Sequence, residues 1–334
     1  MFFDKKIVTV MLHWDYGQKE RGDSGSKIWF YDTFVDLFSE VSTFWFDDYM
    51  DGGAELQKSL IEFVDKEKPD LVFFVPNKWQ FDNETLDYLR TRYNTCAWFG
   101  DDQWRYDDFS SKLANKFSFV ITTDPYTNFL HRKNGVESIL SEWAAIDYSS
   151  DLSPRTDGFM YEVSFVGGKN SVREWFINKL ESKGIEVECF GSGWSNGRVG
   201  YDEMGDIFNL SKINLNLSNS IIGDIDYLIR SPKNIVRWLI ARKTSEQVKA
   251  RNFEVPMSGG FQLTNYVYGL ESHFEIGREV AAYSGYDDCA KAIEIYLGRN
   301  DLRNEICRKG YERAHRDHSY QKRFKEVFSK VWEM

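Results

Sequence analysis

Short apolar runs recur along almost the whole chain, each followed by an amphipathic stretch, and this alternation restricts the fold more than any other feature. The runs fall at Lys6–Leu12, Thr43–Phe46, Leu71–Val75, Thr95–Phe99, Phe117–Thr122 and Ser138–Trp143. They resume at Glu162–Val166, Glu186–Phe190, Ile213–Leu217, Phe261–Thr264 and Glu279–Tyr283. Such alternation of strand and helix is the pattern of an α/β protein with parallel sheets. Leu56, Leu60, Ile61 and Val64 repeat at helical spacing, with Glu55, Lys58, Glu62 and Lys66 on the other face. Further helices are expected at Val172–Lys183, Tyr201–Leu210, Tyr286–Gly298, Asp301–Arg316 and Tyr320–Val331. Between the two series, Tyr148–Asp157 is polar, contains Pro154 and reads as a linker. The expectation is two α/β domains, 1–150 and 158–316, with a crevice between them, and residues 317–334 packing back towards the first.

A length of 334 residues agrees with two domains, because one hydrophobic core seldom grows past about 250 residues. No apolar run approaches the roughly 18–20 residues needed to cross a bilayer. The opening Met1-Phe-Phe-Asp-Lys-Lys runs straight into a strand without a small-residue cleavage site, so no signal peptide is expected. Cys96, Cys189, Cys289 and Cys307 are scattered, which speaks against a disulfide framework or zinc site and for a reducing cytoplasm. A net charge of −10 and a pI near 5.2 disfavour a general nucleic-acid binder.

Ligands of open α/β sheets sit at the carboxyl ends of strands, so the loops after strands hold the candidates. Glu162–Val166 ends in Gly167-Gly168-Lys169-Asn170 and opens a helix with Val172 and Arg173. Glycines permit close backbone approach to a phosphate, a helix start attracts anions, and Lys169 and Arg173 add charge-assisted bonds. A tight turn with solvated basic residues fits the same letters. The next strand ends in Phe190-Gly191-Ser192-Gly193-Trp194-Ser195-Asn196-Gly197, where the third glycine falls at the wrong spacing for a dinucleotide fingerprint. The densest cluster is Lys249-Ala-Arg251-Asn252-Phe253-Glu254-Val255-Pro256-Met257-Ser258-Gly259-Gly260. There Glu254 is able to hold two adjacent hydroxyls, as in a ribose, and Arg251 a phosphate. A solvated acid and base beside a turn is the plain alternative.

This cluster and the motifs around it are recognisable. Arg251-Asn-Phe-Glu254, Gly259-Gly260, Gly269-Leu-Glu271, Phe274-Glu-Ile-Gly277-Arg-Glu279, Gly310-Tyr-Glu-Arg313 and His318-Ser-Tyr320 resemble the carboxy-terminal domain of group 1-type glycosyltransferases of the CgeB-like kind. The amino half is similar to that family at Asp15-Tyr-Gly17, Arg21-Gly22, Lys68-Pro-Asp70, Trp98-Phe99-Gly100-Asp101-Asp102 and Ser141-Glu-Trp-Ala. The resemblance implies a GT-B fold, two facing Rossmann-like domains, with a nucleotide-sugar donor held mainly by the second. It implies ribose binding by Glu254, sugar contact by Glu246 eight residues earlier, and diphosphate binding by Lys169 and Arg173. Gly168, Gly191, Trp194, Arg251, Gly259 and Gly260 complete the expected donor site.

The loop after Thr95–Phe99 often carries a histidine in the wider group, and here it carries Asp101 and Asp102. Either is a candidate base for an acceptor hydroxyl, a group that orients donor hydroxyls, or an ordinary helix cap. The long polar loop His13–Ser26 offers Arg21 as a further catalytic candidate. Trp14, Trp98, Trp104 and Trp194 stand in or beside these loops as possible sugar platforms. No metal and no cofactor are expected, because basic residues and a helix dipole stabilise the leaving diphosphate in the resembled fold. From Arg230 to Arg251 seven basic residues face one acid, Glu246, with Ile235, Val236, Trp238, Leu239 and Ile240 among them. Residues 230–243 suit either peripheral contact with an anionic membrane or a helix at the domain edge. The expected function is sugar transfer from a nucleoside-diphosphate donor to a glycan or glycoconjugate acceptor, lipid-linked ones included, with retention. An epimerase or phosphorylase of the same fold, and a non-catalytic nucleotide- or sugar-binding assembly protein, are the alternatives.

Overall fold

The computed structural model describes residues 2–148, 152–218, 223–241 and 246–333. Part of the linker read at Tyr148–Asp157 and the Arg242-Lys243 end of the basic segment lie outside these residues. The chain forms two compact units, one of Met1–Trp143 with Tyr320–Met334 and the other of Ala144–Ser319.

The first unit runs β1 (Phe3–Met11), α1 (Asp32–Leu37), β2 (Phe38–Trp45), α2 (Ala54–Glu67), β3 (Leu71–Phe74) and α3 (Asn83–Arg92). It continues through β4 (Thr95–Phe99), α4 (Asp102–Arg105), α5 (Ser111–Leu113), β5 (Phe119–Thr122), α6 (Pro125–Lys133) and β6 (Ser138–Leu140). The strands make one parallel sheet in the order β2-β1-β3-β4-β5-β6. Every residue of β3 and β4 is buried, as expected of central strands in a parallel sheet. β2 starts five residues before the apolar run Thr43–Phe46 because it is an edge strand, and its first residues alternate with polar, half-exposed ones.

The second unit runs β7 (Tyr161–Val166), α7 (Ser171–Glu181), β8 (Glu188–Phe190), α8 (Tyr201–Asn209), β9 (Ser211–Asn216) and α9 (Ile225–Leu228). It continues through α10 (Pro232–Leu239), α11 (Arg251–Met257), β10 (Gln262–Asn265), β11 (Ala281–Tyr283), α12 (Tyr286–Gly298) and α13 (Asn300–Asp317). Its parallel sheet has the order β11-β10-β9-β7-β8. The chain then closes with α14 (Tyr320–Glu333), which belongs to the first unit. Phe324 packs on Phe34 with ring centroids 4.8 Å apart, and Phe328 packs on Phe38 at 5.1 Å. Several helix starts carry side-chain caps. Asp124 accepts the Thr127 amide with Pro125 in the first turn of α6, and Asn170 accepts the Val172 and Arg173 amides of α7. All four cysteines are buried and free.

Candidate functional site

In the second unit β8 and β9 flank β7, so the connection changes direction at the carboxyl ends of β7 and β9, where ligands of open sheets collect. Arg173 pins that point together. It donates from Nη1 to the Gly168 carbonyl at 2.8 Å, and from Nε and Nη2 to the Leu217 carbonyl at 3.1 and 2.9 Å. Burial, with the nearby Arg251 cation, pushes its pKa down to about 10. Arg173 therefore shapes the Gly167-Gly168-Lys169 loop and sets a charge beneath it. The Val172 and Arg173 amides that an anion would seek at the helix start are held by Asn170.

The loop after β8 interlocks with this one. The Trp194 indole N–H donates to the Gly167 carbonyl at 2.9 Å, while Lys169 Nζ lies 5.0 Å from the Trp194 ring and pairs with Glu174 at 2.8 Å. Trp194 is thus a clasp between loops, with its N–H engaged and a cation against its ring, rather than an open sugar platform. Gly191 adopts φ +127°, and a Cβ there would overlap the Gly167 carbonyl oxygen, so only glycine permits this approach.

Glu254 on α11 is 2% exposed. Its Oε2 accepts from Arg251 Nη1 at 2.7 Å and its Oε1 from the Tyr201 hydroxyl at 3.1 Å. Burial raises its pKa above the ordinary carboxylate range, and Arg251 and Tyr201 oppose that shift. The Tyr148 hydroxyl is buried without a hydrogen-bond partner among the described residues, and Glu254 adds to the burial that pushes its pKa well up. Glu246 accepts from the Asn265 amide at the end of β10, and Asn265 in turn accepts from the Ser218 amide at 2.9 Å. A cavity of about 280 Å³ opens over this edge, with Arg173, Leu217, Asn265 and Tyr283 in its wall. The structure therefore groups Gly168, Lys169, Arg173, Gly191 and Trp194, with Arg251 close enough to Arg173 to act on it.

Gly259 and Gly260 are elsewhere. They lead into the amino end of β10, opposite to Asn265 and away from the carboxyl strand ends where ligands of open sheets collect. A Cβ on Gly259 would stand 2.7 Å from the Pro154 nitrogen, and one on Gly260 2.7 Å from the Asn214 amide nitrogen. Their role is close backbone packing, which corrects their place in the expected donor site.

In the first unit the direction changes between β1 and β3. A second cavity of about 280 Å³ lies at those strand ends and that of β4. Trp29, Trp98 and Trp143 wall it, with Trp98 and Trp143 edge-to-face at 4.7 Å. Asp101 is half-buried in its wall. Asp102, next to it, differs. Its carboxylate is fully buried, accepts from Ser110 Oγ, and lies 2.8 Å from His131 Nε2. Asp102 also lines the cavity, but its carboxylate is 0% exposed and held by Ser110 and His131, so in this structure it anchors α4 to α6. Asp101 occupies the cap position of α4 without a side-chain cap bond.

Arg21 lies behind the cavity rim. Its Nε donates to Asp15 at 3.0 Å and its guanidinium stands 4.7 Å from the Tyr16 ring, while Asp15 and Tyr16 themselves line the cavity. Tyr16 is held at φ +54°, a strained conformation for a side chain of its size. Trp14 stacks on His13 at 4.0 Å, and neither it nor Trp104 is in the cavity wall. Arg105 is, donating to the Asn77 carbonyl at 2.9 Å, with its pKa lowered by burial against the pull of Asp101 and Asp102. Tyr201, Tyr148, Arg105 and His131 were not candidates from sequence, because no local motif marks residues that meet only through tertiary packing. Among the described residues, no group of three His, Cys, Asp or Glu is placed to hold a metal ion.

Residues 173–329, somewhat under half of the chain, match the model of the family described as Glycosyl transferase-like. No curated protein matches the sequence. Solved structures do. Sucrose-phosphate synthase from Thermosynechococcus elongatus is similar at TM-score 0.66 and 10% identity, over 98% of this chain and 99% of that one. Anabaena HepE in complex with UDP and glucose is similar at 0.60 and 11%, over 99% and 100%. The lipopolysaccharide outer core galactosyltransferase WaaB is similar at 0.54 and 10%, over 97% and 99%. With its two parallel α/β units, the chain has the GT-B fold of these glycosyltransferases, and the greater part of its second unit carries the glycosyl transferase-like sequence signature.

Proposed function

We propose that this protein is a metal-independent glycosyltransferase of the CgeB-like kind, moving a hexose from a nucleoside-diphosphate sugar to a glycan or glycoconjugate acceptor with retention. The observation that carries the reading is the buried Glu254 on α11, hydrogen-bonded to Arg251 and Tyr201, in the same unit as the glycine loop after β7 that Arg173 shapes. A guanidinium and Lys169 at a glycine loop suit a diphosphate, and the Glu254 carboxylate, held by Arg251 one helical turn earlier, suits a ribose diol. On donor binding, the ribose hydroxyls replace the Tyr201 hydroxyl on Glu254, and the diphosphate draws Arg251 towards Arg173. In the reaction the acceptor oxygen bonds to the anomeric carbon as the bond to the diphosphate breaks, and the developing charge falls to these cations. The acceptor proton goes to the leaving diphosphate or to Asp101. Because HepE is described with UDP and UDP-glucose, UDP-sugars are the first donors to test.

A panel of UDP-, GDP-, ADP- and dTDP-sugars, read by thermal shift, nucleotide release and product mass, tests the proposal. At least one donor should stabilise the protein and yield a new glycosidic product with a suitable glycan. No shift and no turnover with any donor would sink it.

A further inference from the structure

The segment between β9 and α11 holds a helix that packs inside out. α10 is capped by Ser231, whose hydroxyl accepts the Lys233 amide at 3.3 Å, and carries Pro232 in its first turn. An amphipathic helix on a globular protein ordinarily buries its apolar stripe. In α10 the buried residue is Asn234, whose amide donates to the Tyr227 carbonyl at 2.9 Å. Ile235, Val236, Trp238 and Leu239 are exposed, as is Ile240 just beyond, the last two at 68% and 71%. Ile235, Val236, Leu239 and Ile240 share one helical face, and Ile225 and Ile229 add further exposed apolar surface from α9 and its end. Apolar side chains gathered in this way mark an interaction surface.

The charges around the face indicate its partner. Arg230, Lys233 and Arg237 are exposed around it. The neighbouring acids are engaged, Asp226 by Lys179 and Asp224 as the cap of α9 at the Tyr227 amide. The patch is therefore basic in a chain whose formal charge is −10. We infer that this face seats on an anionic phospholipid bilayer, with the isoleucines, Val236 and Leu239 entering the headgroup boundary and Arg230 and Lys233 meeting lipid phosphates. A second copy of the chain would bring the same cations against one another. A neutral apolar partner would leave them without a counterpart. No helix among the described residues is long and apolar enough to cross a membrane, so the contact is peripheral.

This inference goes beyond sugar transfer and is tested without any nucleotide. The full chain is floated with vesicles of equimolar phosphatidylglycerol and phosphatidylcholine, or of phosphatidylcholine alone. It should rise with the anionic vesicles only, and salt near 1 M, with a Debye length of about 3 Å, should release it. The double variant Leu239→Ser/Ile240→Ser should lower the bound-to-free ratio about tenfold or more, and Lys233→Gln about fivefold. These side chains are exposed, so the variants should keep the parent circular dichroism and melting temperature. The inference is overturned if the parent stays with the unbound fraction at low salt, or if the double variant floats equally well. It is also overturned if light scattering shows a parent dimer that the double variant dissolves without any vesicle binding.

Discussion

Asp101 and Asp102 are adjacent in sequence and opposite in environment, and separating them is the most direct test of the first unit. Replacing Asp102 by alanine leaves His131 and Ser110 without the carboxylate that both contact in a fully buried site. Each buried polar group left unsatisfied costs about 1–3 kcal/mol, so the pair together costs about 4 kcal/mol. For a domain of this size 1 kcal/mol moves the melting temperature by about 2–4 °C, and the transition of the first unit should fall by about 10 °C. Asp101→Ala removes a half-exposed side chain and should change stability by under about 0.5 kcal/mol. If Asp101 takes the acceptor proton, its loss should lower turnover about 10²-fold or more while donor affinity holds. Calorimetry and steady-state rates on both variants supply the readouts. An unchanged melting temperature in Asp102→Ala would refute the anchor assignment, and normal turnover in Asp101→Ala would refute the catalytic one.

Burial raises the Glu254 pKa, and protonation removes its capacity to accept two hydroxyls, so UDP affinity should climb as pH rises through that raised value and be flat in Glu254→Gln. Titration calorimetry across about pH 4–8 follows it, and parallel profiles would count against ribose contact. Its stability contribution has the opposite sign: the folded state holds the proton after the unfolded chain has lost it, so the contribution falls as pH rises between the two pKa values. Gly191→Ala should cost about 2–4 kcal/mol, from strain at φ +127° and overlap with Gly167, measured as a loss of urea midpoint. Gly168→Ala meets nothing within 4 Å and should keep that midpoint; weakened UDP binding in this variant would mark the loop as the phosphate contact, and unchanged binding would exclude it. Arg173→Lys cannot reach both the Gly168 and Leu217 carbonyls, and should cost about 2 kcal/mol with at least a tenfold loss in UDP affinity. Unaltered affinity would show that the guanidinium plays no part in donor binding.

Much of the architecture was legible because central strands such as β3, Leu-Val-Phe-Phe, and β4 are short, fully buried runs. The edge strand β2 was cut short at its beginning, since Ser39, Glu40 and Ser42 carry no apolar signal. The loop after β7 could be located from its glycines, but not the fact that Arg173 would be committed to carbonyl oxygens. Gly259-Gly260 was placed in the donor site by the family resemblance, although the pair precedes its strand, and only the packing shows each glycine against backbone or the Asn214 amide. His131 lies 29 residues from Asp102, and only the packing of α6 on α4 brings them together. Spacing encodes local geometry well and encodes such pairs not at all.

The placement of α14 has a consequence in time. The second unit is spliced between Trp143 and Tyr320 of the first, so a ribosome completes β7 to α13 before it delivers Phe324 and Phe328. At about 5–20 residues per second, the partly built first unit waits on the order of ten seconds for them. Throughout that interval the rings of Phe34, Phe38 and Phe73 lack the two phenylalanines that cover them in the finished protein. The older half of the chain is the later one to mature, and its aromatic surface is what chaperones would meet first.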